Sequence, residues 1–385
     1  MTIYSLSLTL SPAPHLNNPI ALADWLPEIS VRPALIPAIA HRGLVKVILA
    51  LPHWSDYPEL LRSLTVSMAE DSAVHWQGES YNVVGIESDR DDLRTLSLTI
   101  HAEKSFPKQK DIARACHAIV LSWFKSADPA LSEALHTASS VPLRLNYRLV
   151  EGKILHLYLS LLQGDLFTSL LWGLHGHLEQ KLTIVNITCR LASPVNILGG
   201  ITWETLAATE SQSAIALNFH SATSFMQNGD VQPFLLPDLV FGSLLRRWNA
   251  FAPETLHFDP IAAWSGRVAA YDLKTTATYL NRAFQIGSVG WVRYEFKEPE
   301  LAAIASILAA FAPFSGIGRK TMLGMGHVSL RSGDRGSRRY KIQHWRSLRR
   351  IWVLRRQFSG WMLSKNAGNP AIGGVGEWLK PSFFR

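Results

Sequence analysis

The chain has 385 residues and a net charge of +8, with 47% hydrophobic and 18% charged residues. That length is enough for two or three domains with real cores, and that composition excludes a disordered chain. No apolar run reaches the roughly 18 to 20 residues needed to span a bilayer, and two cysteines, Cys116 and Cys189, are too few for a disulfide scaffold or a thiolate zinc site.

The N-terminus lacks a basic region followed by an apolar core, so no signal peptide is expected and a cytoplasmic location follows by default. Residues 1–90 read as a small α/β module. Strands are expected at 3–10, 44–51 and 81–86, and a short helix at 56–64. Pro33 and Pro37 argue for irregular structure between them. His15, His41, His53 and His75 lack metal-ligand spacing, and the module shows no chemistry of its own.

A second unit begins near Asp91. Residues 93–100 alternate as a half-buried strand, and the helix at 111–125 places Ile112, Cys116, Ile119, Val120 and Trp123 on one stripe. Asp128 and Pro129 start a second short helix as N-cap and first turn, ending at Leu135 and His136. Strands at 143–149 and 154–161, a helix at 165–178 and a strand at 182–189 complete the order β-α-β-β-α-β of a ferredoxin-like fold. The same order returns with a strand at 214–219, a helix at 235–251, strands at 267–279 and 284–296, a helix at 299–314 and a strand at 327–330. The expected fold is therefore α+β: an N-terminal module (1–90), two tandem ferredoxin-like domains (91–205 and 206–331) and a C-terminal extension (332–385).

The last helix and strand are joined by Gly316-Ile317-Gly318-Arg319-Lys320-Thr321-Met322-Leu323-Gly324-Met325-Gly326. Glycines at 316, 318, 324 and 326 permit positive φ and close backbone approach. Arg319 and Lys320 at the centre suit a phosphate chain, with the loop's backbone N–H groups as further donors. This is not a dinucleotide fingerprint, because Thr321 stands where the third glycine belongs. Nor is it a P-loop, because Arg319 stands where glycine must precede Lys320.

The order helix, glycine loop, strand resembles the C-terminal signature of the RAMP superfamily of CRISPR proteins. His117-Ala118-Ile119-Val120-Leu121, with Ser126-Ala127-Asp128-Pro129 and Ala134-Leu135-His136, is similar to the first helical region of the CRISPR precursor-RNA processing endoribonucleases, the sixth Cas family. The stretch from Leu236 to Asn249 (LPDLVFGSLLRRWN) resembles their second-domain helix. The resemblance implies cofactor-free, metal-independent cleavage of a CRISPR repeat precursor RNA by its own 2′-OH, leaving a 2′,3′-cyclic phosphate and a 5′-OH. It also admits other CRISPR effector subunits as partners, with no membrane involved. A noncatalytic RAMP subunit that holds guide RNA is the alternative within the same fold.

Such a reaction needs a base at the 2′-OH, an acid at the leaving 5′-oxygen and cations on the phosphorane. Histidine fits, and the candidates are His117 and His136. His136 closes a short helix, where the dipole favours a protonated ring, and its Leu-His setting matches the family's catalytic histidine. His117 falls on the flank of its helix's apolar stripe, so a half-buried structural histidine is the competing reading. Ser139-Ser140-Val141-Pro142 stand where the family often has a lysine, so Arg144 or Arg148 is the candidate cation; strand alternation does not decide which faces RNA. Leu121 stands where some members have a tyrosine. Arg246 and Arg247 are candidate RNA contacts or a solvated helix end.

Residues 331–385 hold thirteen Lys/Arg against Asp334 and Glu377, a balance of +11 that leaves −3 for the rest of the chain. Trp345, Trp352, Trp361 and Trp378 lie among these cations, a composition suited to single-stranded RNA or to a helix docked on the body.

Overall fold

A computed structural model of the chain describes residues 2–331 apart from 16–17, 40–42, 71–72, 108–111, 257–263 and 281–282. His41, Asp111 and the C-terminal extension with its four tryptophans lie outside the described residues.

The first sheet contains β1 (Ser5–Pro12), β2 (Ile20–Ala21), β3 (Ala34–Ala38), β4 (Val45–Ala50), β5 (Ala73–Trp76) and β6 (Glu79–Asp89), in the order β2-β5-β6-β1-β4-β3. Alternation sorts its side chains between two cores. Leu6, Leu8, Val47 and Leu49 meet Tyr57, Leu60 and Leu64 of α2 (Tyr57–Glu70), while α1 (Leu22–Trp25) adds Leu22 and Trp25. Ile36, Ala38, Ile48 and Ala50 belong instead to the core of the next unit. The expected irregular segment at 33–37 is largely strand. As the edge strand, β3 pairs only with β4 among named strands, and an edge tolerates the N–H that Pro37 lacks.

The second unit comprises β7 (Leu93–Ala102), α3 (Ile112–Ala127), α4 (Pro129–Thr137), β8 (Leu143–Val150), β9 (Ile154–Leu161), α5 (Gly164–His175), β10 (Lys181–Ile184), β11 (Ile187–Leu191) and β12 (Asn196–Ile201). Its strand order is β10-β11-β7-β9-β8, with β12 also on β7. The expected single strand at 182–189 is a hairpin, because Val185 and Asn186 both take positive φ (51° and 62°) and reverse the chain. The helix expected at 165–178 stops at His175. α5 is apolar on nearly every side: Leu166, Phe167, Leu170, Leu171 and Leu174 are all buried. A helix of that kind needs cover all round, and the first sheet supplies part of it. Gly164 lies against the Tyr4 ring with no room for a Cβ, and Thr168 Oγ1 donates to Tyr4 O (2.6 Å).

After α6 (Trp203–Ala207) the pattern repeats. β13 (Ala214–Thr223) leads through the small hairpin β14 (Phe225–Gln227) and β15 (Asp230–Gln232) into α7 (Pro237–Phe251). β16 (Arg267–Leu280), β17 (Ala283–Glu295), α8 (Pro299–Ser315) and β18 (Val328–Leu330) follow, in the sheet order β16-β17-β13-β18. In both units the fourth strand of the motif borders the first, and the third separates the first from the second. The fold is tandem ferredoxin-like, as expected. Among the described residues no helix is long and apolar enough to cross a membrane.

Candidate active site and nucleic-acid interface

α3 buries Ile112, Cys116, Val120 and Trp123 as its spacing predicts, while Ile119 is only partly covered. Burial pushes the Cys116 thiol up to about 12, so it is no nucleophile. Asp128 caps α4 by accepting from Ala130 N (2.8 Å) and Leu131 N (3.1 Å). Ser132 Oγ donates to Leu121 O (3.0 Å), which ties α4 to α3. This arrangement leaves His136 exposed on the last turn of α4 and His117 half-buried on α3. Burial first, and then the charge of the neighbouring His136, hold the His117 imidazole below its ordinary pKa. The two sequence candidates thus face one another electrostatically.

Arg144 is placed differently. In β8, Leu143 and Leu145 face the helices, so Arg144, Asn146 and Arg148 face the other way. Arg148 is exposed, whereas Arg144 is buried and donates through Nη2 to Ser160 Oγ (2.8 Å). Arg144 does not join the histidine pair. Its Cδ lies beside Gly316, 2.9 Å from where a Cβ would be, so its stem packs on the glycine loop.

The loop straddles the edge strand β8. A short 3₁₀ turn (Thr321–Leu323) sits against β8 and α3, and a Cβ on Gly324 would touch both Tyr147 and Asn146. Gly318 (φ +80°) and Gly326 (φ +71°) allow backbone approaches that any side chain would block, with Ser224 O and Ile317 O closer than 3 Å to the added Cβ. Several N–H groups expected to meet phosphate already have internal acceptors. Ile317 N donates to Gly326 O, Gly318 N to Ser243 Oγ, Arg319 N to Ser224 O and Gly326 N to Ala222 O. The loop is chiefly a joint between the two ferredoxin-like units, and its charge comes from side chains. Arg319 reaches the Met226 sulfur (3.0 Å), and Lys320 sits in the left-handed region (φ 58°) with its pKa lowered by burial and then by Arg319. In α7, Arg246 is exposed. Arg247 instead crosses to the preceding unit, donating through Nη2 to Val141 O (3.1 Å).

One further cluster joins residues far apart in the sequence. The rings of His220 and His327 lie 5.0 Å apart, tilted by 48°, because His220 N donates to His327 O where β13 meets the start of β18. Asn146 Nδ2 lies 2.6 Å from His327 Nδ1, and His220 Nε2 lies 2.7 Å from Ser329 Oγ. Burial, then Arg144, then His220 hold His327 down at about 3, so its ring is neutral near pH 7. Unfolded histidine titrates near 6.5. Between about 6.5 and 3 the unfolded chain therefore binds a proton that the folded chain refuses. The stability is fully present above that window and is lost as pH falls, by about 1.4 kcal/mol per unit. His327→Asn should flatten the fall of Tm between pH 6.5 and 4; an unchanged profile would assign the acid lability to other groups.

Residues 217–328, from β13 to the start of β18, match the family model described as CRISPR-associated endoribonuclease Cas6. No curated protein matches the sequence. Among solved structures, the Cas6 (TTHB231) product complex is similar at TM-score 0.57 and 24% identity, covering 63% of this chain and 100% of that one. Thermus thermophilus Cas6 (TTHB231) is similar at TM-score 0.50, 24% identity and the same coverage. The Cas6 (TTHA0078) product complex follows at TM-score 0.52 and 24% identity, covering 62% of this chain and 100% of that one. At such identity the structural likeness concerns the fold.

Proposed function

We propose that this chain is an endoribonuclease that processes CRISPR repeat RNA, a reading supported by the match of residues 217–328 to the Cas6 family model. The observation that carries the catalytic reading is the pairing of His117 and His136 on two tied helices, beside the loop that joins the ferredoxin-like units.

The chemistry follows from the difference between the two rings. His117, held neutral by burial and by its neighbour, accepts the 2′-OH proton. The 2′-oxygen attacks the adjacent phosphorus, forming the 2′,3′-cyclic phosphate as the bond to the 5′-oxygen breaks. His136, exposed at a helix C-terminus, gives that oxygen its proton. No water is consumed and no metal takes part. Of the two candidate β8 cations, Arg148 is the exposed one, on the sheet face turned away from the helices. Arg319 and Lys320 add positive charge for the RNA backbone. The protein works in the cytoplasm, where the transcript is made.

Labelled repeat RNA incubated with purified protein in excess EDTA tests this reading. Discrete cleavage with a cyclic-phosphate end is expected, and a substrate with 2′-deoxy at the cleaved position should bind and remain intact. Cleavage of the deoxy substrate would exclude the cyclising route. Binding with no cleavage of either RNA would identify a subunit that only holds guide RNA.

A further inference from the structure

The longest strand of the second unit lies at an edge. β16 runs for 14 residues at the end of the order β16-β17-β13-β18, and β17 is its only strand partner among the described residues. An edge of that length presents a row of unpaired N–H and C=O groups to any strand that can lie beside it. Proline and bulges are common guards of such edges. β16 has no proline, and its one bulge, at Ala269, leaves the stretch from Ala270 onward regular.

Pairing with β17 fixes where each side chain of β16 points, because directly opposite residues share a face. Tyr271 lies opposite Val292 and Leu273 opposite Gly290, on the face of the core that buries Val292 and partly covers Leu273. Tyr271 is nevertheless 67% exposed. Asp272 and Lys274 lie opposite Trp291 and Val289, on the other face. Both are exposed, and neither enters an ion pair among the described residues. Arg267, Arg293 and Glu295, where the hairpin begins, are paired with one another instead.

An acid and a cation two residues apart on an edge are self-complementary. Laid antiparallel against its own copy about Leu273, β16 sets Asp272 of each chain opposite Lys274 of the other. Leu273 then meets Leu273, and Tyr271 meets Thr275. Moving the centre by one residue puts Asp272 opposite Asp272 or Lys274 opposite Lys274, which is repulsive. The charges therefore select one register. Residues 270–276 carry one acid and one cation, a neutral stretch that suits a protein edge and not a polyanion.

We propose that β16 is a self-association edge: two copies of this chain pair antiparallel over residues 270–276 about a two-fold axis at Leu273, joining two four-stranded sheets edge to edge. A contact of this symmetry uses the same patch twice, so both Asp272–Lys274 pairs form together. The pairing does not depend on the processing reading above.

Sedimentation equilibrium of the full chain over a concentration series tests the pairing. The wild type should be a reversible dimer. Asp272→Lys sets like charges opposite one another at both symmetric positions and should raise the dimer Kd by about tenfold or more. Lys274→Asp should do the same. Combining Asp272→Lys with Lys274→Asp exchanges the two charges and should restore the wild-type Kd, a recovery that a misfolded chain would not show. A wild type that stays monomeric throughout would overturn the proposal. So would a dimer indifferent to either single reversal, which would place the contact on another surface. Single reversals that the exchange does not rescue would overturn the register and with it the pairing.

Discussion

Replacing His136 by alanine is expected to lower the rate of repeat-RNA cleavage by about 10²- to 10⁴-fold, the range for a lost general acid or base. Folding should be nearly unaffected. His136 is exposed at the end of α4, while the helix is held by its Asp128 cap, by Ser132 and by buried Leu135. Losing a cation at a helix C-terminus costs only about 0.3–1 kcal/mol. RNA affinity should also change little, since one histidine is a small share of the phosphate contacts. Single-turnover kinetics at saturating protein separates rate from binding. A second readout is the pH profile of the residual activity. Removing the His136 charge takes away the second cause of the low His117 pKa, so the limb governed by His117 should move to higher pH. A wild-type rate in His136→Ala would make His136 a helix terminus only and leave His117 as the group to test.

Gly326→Ala should damage the joint between the units. At φ +71° an L-residue is strained by about 1–2 kcal/mol. The added Cβ would also lie 2.1 Å from Ile317 O, while Gly326 itself accepts from Ile317 N and donates to Ala222 O. Backbone must shift, and at least one of those bonds weakens, for a total of about 2–4 kcal/mol. Tm should fall by about 5–10 °C, and cleavage should fall with it because the loop lies against both α3 and β8. Gly43→Ala is the control: φ is +73° there, but nothing lies within 4 Å of the added Cβ. Equal losses of Tm in the two variants would mean that backbone strain alone matters and the close approach does not.

The tandem β-α-β-β-α-β order could be read from the sequence because it depends on periodicity and local capping. Asp128 and Pro129 announced α4 through chemistry confined to four residues, and the stripe on α3 needed no partner to be recognised. What failed depended on partners elsewhere. Two prolines argued against β3, yet β3 is an edge strand with β4 as its one neighbour among the named strands. The turn at Val185 and Asn186 lacks glycine, and a β-branched residue at positive φ gives no local warning. In the candidate site, His117 and His136 were visible because they lie on successive helices. His220 and His327 were not, since only the pairing of β13 with β18 makes them neighbours. The facing of Arg144 likewise became decidable once Ser160 was found opposite it in β9.

The sharing of α5 between two sheets has a consequence for synthesis. Tyr4 must wait for Gly164 and Thr168, and Ile36, Ile48 and Ala50 must wait for the same helix before they lose contact with water. At roughly 5–20 residues per second, the ribosome takes several seconds or more to travel from β4 to the end of α5. Throughout that interval the nascent first sheet has one apolar face covered by α2 and the other uncovered. The growing chain is therefore most exposed to aggregation, and most in need of a chaperone, before its first ferredoxin-like unit has been completed.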